Sequence, residues 1–359
     1  MSAPSFEKSL QDIVGSQNVR PDEPLVEHTT FRIGGPAQWL VTPRSEDEVA
    51  GVVSTCEAAG IPWRVLGLGS NVLAPDEGLD GVTLLLADNF AAVEVLPGGL
   101  VRAAAGATNA AVAAAARDAG LAGYEFASGI PGTIGGAAIM NAGAYEGQFS
   151  DVAVEVRCLV PVGAEEAASE AVAEAAISGT AATCEETVRR EDACAAGESN
   201  GNSSDNRDDS ASCGSGRFWR IVNVPASEAA WGYRQSRMMR EGWVVLGAML
   251  QLRPNSPAAI AARMEELRER RESKQPLEMP SAGSTFKRPE GHFAGALIQQ
   301  AGCQGLRVGG AQVSEKHAGF VVNTGDATAA DVLALIAEVQ RRVHETTGVQ
   351  LEPEVRLWQ

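Results

Sequence analysis

Residues 128–143 hold five glycines and one proline in sixteen positions, bracketing an apolar Ala-Ala-Ile-Met run. No ordinary core helix or strand is built this way. Glycine spends more conformational freedom on folding than any other residue, so a cluster of it marks places where the backbone must bend sharply or pass close to another group. A second cluster, Gly67-Leu-Gly-Ser-Asn71, lies upstream and follows an apolar strand. Successive amides in such a loop can form an anion-binding nest. It is not the G-x-G-x-x-G fingerprint, and Val72, Leu73 and Pro75 follow it where a helix would be needed, so a Rossmann-type site is a poor match. Two such loops in one half of the chain imply a dinucleotide held in extended form.

The surroundings read as α+β. Gln38–Thr42 is an expected strand, and Ser45 with Glu48 three residues on signals a helix start. Val49, Val52, Val53 and Cys56 follow at helical spacing, and Gly60 ends the helix. Strands are expected at 61–66, 82–87, 93–96 and 100–105, and an Ala-rich helix at 109–119. Residues 129–143 read as loop. Strands at 152–159, 218–224 and 244–252 follow, then a linker at 254–257 and a helix burying Ile260, Met264 and Leu267. The final third carries strands at 318–323 and 349–358 around a helix at 329–346 capped by Thr328.

The chain has 359 residues and a net charge of −17. Such acidity opposes nucleic-acid phosphates and anionic membranes, so neither is an expected partner. No run approaches the ~18 apolar residues of a membrane span. The first fifteen residues lack the basic and apolar regions of a secretory signal. Six cysteines are scattered without a C-x-x-C pair, which fits a reducing cytoplasm and no metal site. Residues 161–216 carry twelve acidic residues against three basic ones, with no aromatic residue and no Leu. This stretch reads as a low-complexity insertion, helical at most in its Ala-rich start at 165–176.

Several motifs, in order, resemble the UDP-N-acetylenolpyruvoylglucosamine reductase family of peptidoglycan synthesis. They are Thr30-Phe-Arg-Ile-Gly-Gly35, Leu66-Gly-Leu-Gly-Ser-Asn-Val-Leu73, Ser128-Gly-Ile-Pro-Gly-Thr-Ile-Gly-Gly136 with Asn141-Ala-Gly-Ala144, Trp231-Gly-Tyr-Arg-Gln-Ser236, Ser281-Ala-Gly-Ser-Thr-Phe-Lys-Arg-Pro289, Ala296-Leu-Ile-Gln-Gln-Ala-Gly302, Gly309-Gly-Ala-Gln-Val313 and Leu351-Glu-Pro-Glu-Val-Arg356. The likeness runs from about residue 25 to the end, broken only by the acidic insertion.

The resemblance implies a two-part FAD-binding domain of the vanillyl-alcohol-oxidase (PCMH) type, with subdomains at 1–88 and 89–253, and a C-terminal α+β substrate-binding domain at 254–359. It implies non-covalent FAD, since no His or Cys stands in the glycine loops. The flavin would be held by Gly67, Gly69, Ser70, Asn71, Gly129, Pro131, Gly132, Thr133, Gly135, Gly136 and Asn141. NADPH would be the hydride donor and UDP-N-acetylglucosamine enolpyruvate the substrate. Ser284 would protonate the substrate, while Arg234 and Glu354 stabilise its carboxylate. Glu352, two residues from Glu354, would face the same side of a strand, and only the motif position favours Glu354. Tyr233, Arg271, Lys274, Lys287 and Arg288 would bind substrate, the cations supplying a local positive patch for the pyrophosphate. Tyr233 and Arg234 are expected on a strand.

Two departures stand out. The segment 252–258 has no room for the tyrosine-bearing loop of one class, so the chain resembles the shorter class, and Ser281 stands where many relatives have Asn. A competing reading keeps the flavin fold but makes the protein an oxidase or dehydrogenase of another sugar or alcohol. A cytoplasmic monomer or weak dimer is expected.

Overall fold

The computed structural model describes residues 3–162 and 218–358. The chain divides into two compact units, Met1–Val160 with Ile221–Gln359 and Pro161–Arg220. Every candidate site residue lies in the first. The expected helix at 165–176 and nearly all of the acidic insertion fall outside the described residues.

The first sheet grows from a β-α-β unit. Ser45 caps the helix Glu46–Ala59 by accepting from the Glu48 amide at 3.2 Å. The Glu48 carboxylate reaches the Arg44 amide at 2.7 Å, so the reciprocal arm of the cap falls one residue earlier than Ser45. Gly60 ends the helix at φ 64°. Strands Pro36–Val41 and Trp63–Leu66 flank Leu79–Leu85, both parallel to it, and Val19–Pro24 joins antiparallel at the edge. An N-terminal helix, Ala3–Val14, adds to the elements expected from sequence. Its Phe6, Leu10 and Val14 are fully buried, with Phe6 tilted on Trp39 at 5.2 Å. Their i, i+4, i+8 spacing was the available signal.

The middle sheet runs in the order Phe218–Pro225, Ala153–Val162, Val244–Gln251, Leu100–Ala104, Val93–Leu96. Thr108 caps the helix Asn109–Asp118 through the Ala111 amide. The expected linker at 254–257 is more ordered than its composition implies. Arg253–Pro254 pairs with Leu121–Ala122, and Ser256 caps the helix Pro257–Lys274.

The third sheet, Ser281–Ser284, Phe320–Asn323, Ala311–Val313 and Arg307–Val308, packs with helices Ala294–Gln300 and Ala329–Thr347. Its core contains Leu335, Val339 and Val343 of the long helix, and also Phe31, Ile33 and Leu73 from the first hundred residues. The Thr30–Gly35 motif is therefore a tether. Thr30 Oγ1 donates to the Ser281 carbonyl at 2.7 Å, and Asn323 Nδ2 donates to the carbonyls of Phe31 and Arg32 at 3.1 and 3.2 Å.

The strand expected over 349–358 shrinks to Arg356–Leu357, which lies parallel to Val72–Leu73. The preceding residues cross between elements, bridging Pro353 to Phe286. Two distant elements each claim one side of the segment, and this replaces regular pairing.

The long helix has its first amides fully engaged. Thr328 and Asp331 form a reciprocal cap, while the Asp76 carboxylate accepts from Ala329 at 2.7 Å and Ala330 at 3.0 Å. An anionic side chain at a helix start also complements the macrodipole. Asp76→Ala is expected to lower stability by about 1 kcal/mol, read as a shift of the urea midpoint at constant slope. Glu77→Ala, one residue on, is expected to leave the midpoint in place.

Candidate active site

The two glycine loops are stitched together. Ser70 Oγ donates to the Pro131 carbonyl at 2.8 Å. A Cβ on Gly67 would come within 2.5 Å of Thr133 Oγ1. Gly69 has φ 63°, and its missing Cβ would sit 2.3 Å from the His28 carbonyl oxygen. The amides of Leu68, Gly69, Ser70 and Asn71 donate to no acceptor among the described residues. Gly69 is nevertheless buried. Buried amides without partners are costly. The run of four amides, with Gly69 buried, Ser70 and Asn71 half-buried and Leu68 exposed, forms a nest open to an anion such as a pyrophosphate, so the residues present fit a bound FAD.

The expected loop at 129–143 contains a helix, Ile134–Met140, which corrects that reading. Its glycines disfavour a helix by propensity, but the site is buried and Gly135 tucks against Ala105. Asn141 caps it in the left-handed conformation. The Asn141 side chain is committed within the chain, to the Ser150 amide, Gln148 and the Gly232 carbonyl. This helix positions the next element. Trp231 Nε1 donates to the Ala138 carbonyl at 2.7 Å, and Ser236 Oγ donates to that of Ile139 at 2.8 Å. The last carbonyls of a helix otherwise lack partners.

Between those two anchors, residues 232–235 form a tight turn rather than the expected strand, with backbone bonds in both directions between Gly232 and Gln235. Arg234 takes φ 56°, a region that non-glycine residues seldom enter. The turn aims Arg234 at Glu354. Its Nε donates to Glu354 Oε1 at 2.5 Å, with side-chain exposures of 22% and 11%. Glu352 does not share this environment. Its side chain is 70% exposed and pairs with Lys287 at 3.0 Å. The structure therefore separates two residues that spacing alone left equivalent.

Glu354 is held from two sides by its backbone. Its amide donates to the Thr285 carbonyl at 2.8 Å, and its carbonyl accepts from Asn71 Nδ2 at 3.3 Å. Ser284 ends the strand Ser281–Ser284 after Gly283, whose φ of 74° turns the chain. The Ser284 hydroxyl has no hydrogen-bond partner among the described residues.

Arg234, Ser284 and Glu354 all line one cavity of about 320 Å³, together with Tyr233 and Arg288. Arg271, Lys274 and Lys287 are not in that lining. Arg271 instead donates to the Gly129 carbonyl at the second glycine loop. The lining also contains Lys316 and His317, neither of which was singled out from sequence. Burial holds His317 below its ordinary pKa, with help from Lys274. Its Nδ1 accepts from the Gly319 amide at 3.1 Å, so the neutral ring carries its proton on Nε2.

A model of FAD-binding domains matches residues 37–168, and one of the C-terminal domain of UDP-N-acetylenolpyruvoylglucosamine reductase matches 275–358. The fold is thus an FAD-binding domain followed by that C-terminal domain. The UDP-N-acetylenolpyruvoylglucosamine reductase of Lachnoclostridium phytofermentans is 40% identical over 98% of this chain and 96% of its own. That of Agathobacter rectalis is 39% identical over 98% of both. The crystal structure of the Thermus caldophilus reductase superposes with a TM-score of 0.66 at 31% identity, covering 95% of this chain and 98% of that one.

Gly67→Ala is expected to lower the flavin content of the purified protein by forcing the two glycine loops apart where the new Cβ meets Thr133 Oγ1, while far-ultraviolet circular dichroism stays native. Thr133→Ala in the same chain removes the obstructing atoms and is expected to restore visible flavin absorbance. Failure of that rescue would break the link between loop spacing and flavin retention.

Proposed function

The chain belongs to the UDP-N-acetylenolpyruvoylglucosamine reductase family, and on that basis we propose which residues turn UDP-N-acetylglucosamine enolpyruvate into UDP-N-acetylmuramate. The protein is an NADPH-dependent, FAD-requiring oxidoreductase of peptidoglycan precursor synthesis. The observation that carries the residue assignment is the convergence of Arg234, Ser284 and Glu354 on one cavity, with Glu354 bonded through its backbone to Asn71 of the flavin loop.

Bound FAD, held by Gly67–Asn71 and Gly129–Gly136, supplies the relay of hydride from NADPH to the enolpyruvyl methylene carbon. Hydride addition there places negative charge on the neighbouring ether carbon and the carboxylate. The Arg234 guanidinium is the fixed cation for that charge, and its planar fork matches a carboxylate. Glu354 holds the guanidinium in place and closes the far side of the carboxylate site. Removing Arg234 would leave the Glu354 carboxylate nearly buried without its cation, which is costly. Ser284 Oγ, with no hydrogen-bond partner among the described residues, hands its proton to the ether carbon and regains one from solvent. A hydroxyl is a weak acid, but the accepting carbon is carbanion-like, and a positioned donor contributes about 10²–10⁴-fold. Arg288 and Tyr233 line the same cavity and are the closest of the proposed substrate-binding residues. Arg271, Lys274 and Lys287 are substrate-binding candidates through their charge, from outside the cavity wall.

The protein acts in the cytoplasm on this reading, as a monomer or weak dimer. Cys56, Cys158 and Cys303 are free and buried, and among the described residues no helix is long and apolar enough to cross a membrane.

Anaerobic absorbance tests the reading. One equivalent of NADPH is expected to bleach the flavin bands, and UDP-N-acetylglucosamine enolpyruvate to restore them. Bands that return only on admitting air would favour an oxidase. Ser284→Ala is expected to slow the second step by about 10²–10⁴-fold and leave NADPH bleaching unchanged.

A further inference from the structure

Phe293 is the most exposed large apolar side chain among those described, at 63%. It stands at the N-cap of the helix Ala294–Gln300 and offers no side-chain cap. Ser, Thr, Asp or Asn would serve the helix better there, and an interior position would serve the ring better. Residues that break both local rules at once tend to mark functional sites. The ring lines the same cavity as Ser284 and Arg234, and its exposure puts it toward solvent.

Phe293 is not loose. The Arg288 guanidinium lies over its ring at 4.0 Å. Arg288 is itself fixed, since its Nε donates to the His292 carbonyl at 3.3 Å and its amide donates to Tyr233 Oη at 3.2 Å. Tyr233 Oη in turn lies 3.5 Å from Glu354 Oε2. A flat aromatic face, backed by a cation, is thus held at a set position relative to the catalytic carboxylate.

The cavity volume of about 320 Å³ is at the low end of the ~300–1,000 Å³ usual for ligand pockets. A nucleotide sugar carrying an enolpyruvyl group is too large to fit wholly inside. If its acid end is at Arg234 and Ser284, its nucleoside end must lie on the rim. We infer that Phe293, backed by Arg288, is the stacking platform for the uracil ring of the substrate. This rests on the proposed reaction for the identity of the base. Stacking needs only a planar face, and alanine substitution at such platforms weakens binding substantially.

The test uses the FAD-loaded enzyme with Phe293→Ala, Phe293→Leu and Phe293→Trp, each checked for native flavin content. Phe293→Ala is expected to raise the KM for UDP-N-acetylglucosamine enolpyruvate about tenfold, with kcat within about twofold. Calorimetric titration is expected to show UDP binding weakened to the same degree. Phe293→Trp should restore both values and Phe293→Leu neither. The rate of flavin bleaching by NADPH should not move. Unchanged KM and UDP affinity in Phe293→Ala would overturn the platform, as would full rescue by Leu, which would make the ring mere packing. A rise confined to the KM for NADPH would reassign the face to the dinucleotide and overturn the uracil proposal. UDP titration needs no turnover, so it separates the two readings. A wild-type enzyme that binds UDP through Phe293 but reduces nothing would sink the reaction and keep the platform, and one that binds no UDP would sink the platform.

Discussion

The C-terminal segment 352–358 is the interaction on which the site depends. Its backbone is bonded on two sides to parts of the chain far away in sequence. Arg356 and Trp358 donate to the carbonyls of Asn71 and Leu73, Glu354 donates to Thr285, and Glu352 accepts from Lys287. One short stretch thereby fastens the end of the flavin loop to the strand that presents Ser284. The acidic group and its serine neighbour acquire fixed places only once contacts spanning most of the chain have formed. Such non-local closure is slow to assemble, but it holds a catalytic group by main-chain bonds rather than by a mobile side chain.

Charge is arranged in the same local way. The chain as a whole carries −17, yet the cavity that should receive an anion is lined by Arg234, Arg288 and Lys316. Of the other cations expected to help, Arg271 is spent on the Gly129 carbonyl and Lys287 on Glu352. These two cations thus stand outside the cavity lining, where they act on a bound anion through their charge. The global field opposes nucleic acids, whereas a few close cations govern a small anionic ligand.

Elements with strong end signals were legible. Ser45 and Gly60 bounded one helix and Thr328 another, because caps act through neighbours in sequence. The helix Ile134–Met140 was hidden by its glycines, whose cost is offset by close packing that sequence does not display. The turn at Arg234 was hidden because its conformation is imposed by anchors from Ala138 and Ile139, roughly a hundred residues upstream. Glu352 and Glu354 could not be told apart by spacing, since the strand that would have made them equivalent does not form there. The order of motifs was enough to indicate the flavin and the reaction, but His317 and Lys316 entered the cavity without a local signal. His317 lies beside Gly319, a contact set by the turn and not by periodicity.

The borrowed side chains Phe31, Ile33 and Leu73 and the carboxylate of Asp76 bear on how such a chain can be inherited. Residues 275–358 look like a cassette, with their own sheet and two helices. Yet part of the cassette's interior is built from residues near the other end of the chain, and the start of its longest helix is completed from there. Moved by recombination into a different protein, the cassette would arrive with a hole in its core and two helix amides stripped of their acceptor. The two parts are thus bound to travel and to drift together, and a change in residues 30–35 or at Asp76 is felt first in a part of the molecule that sequence places some two hundred and fifty residues away.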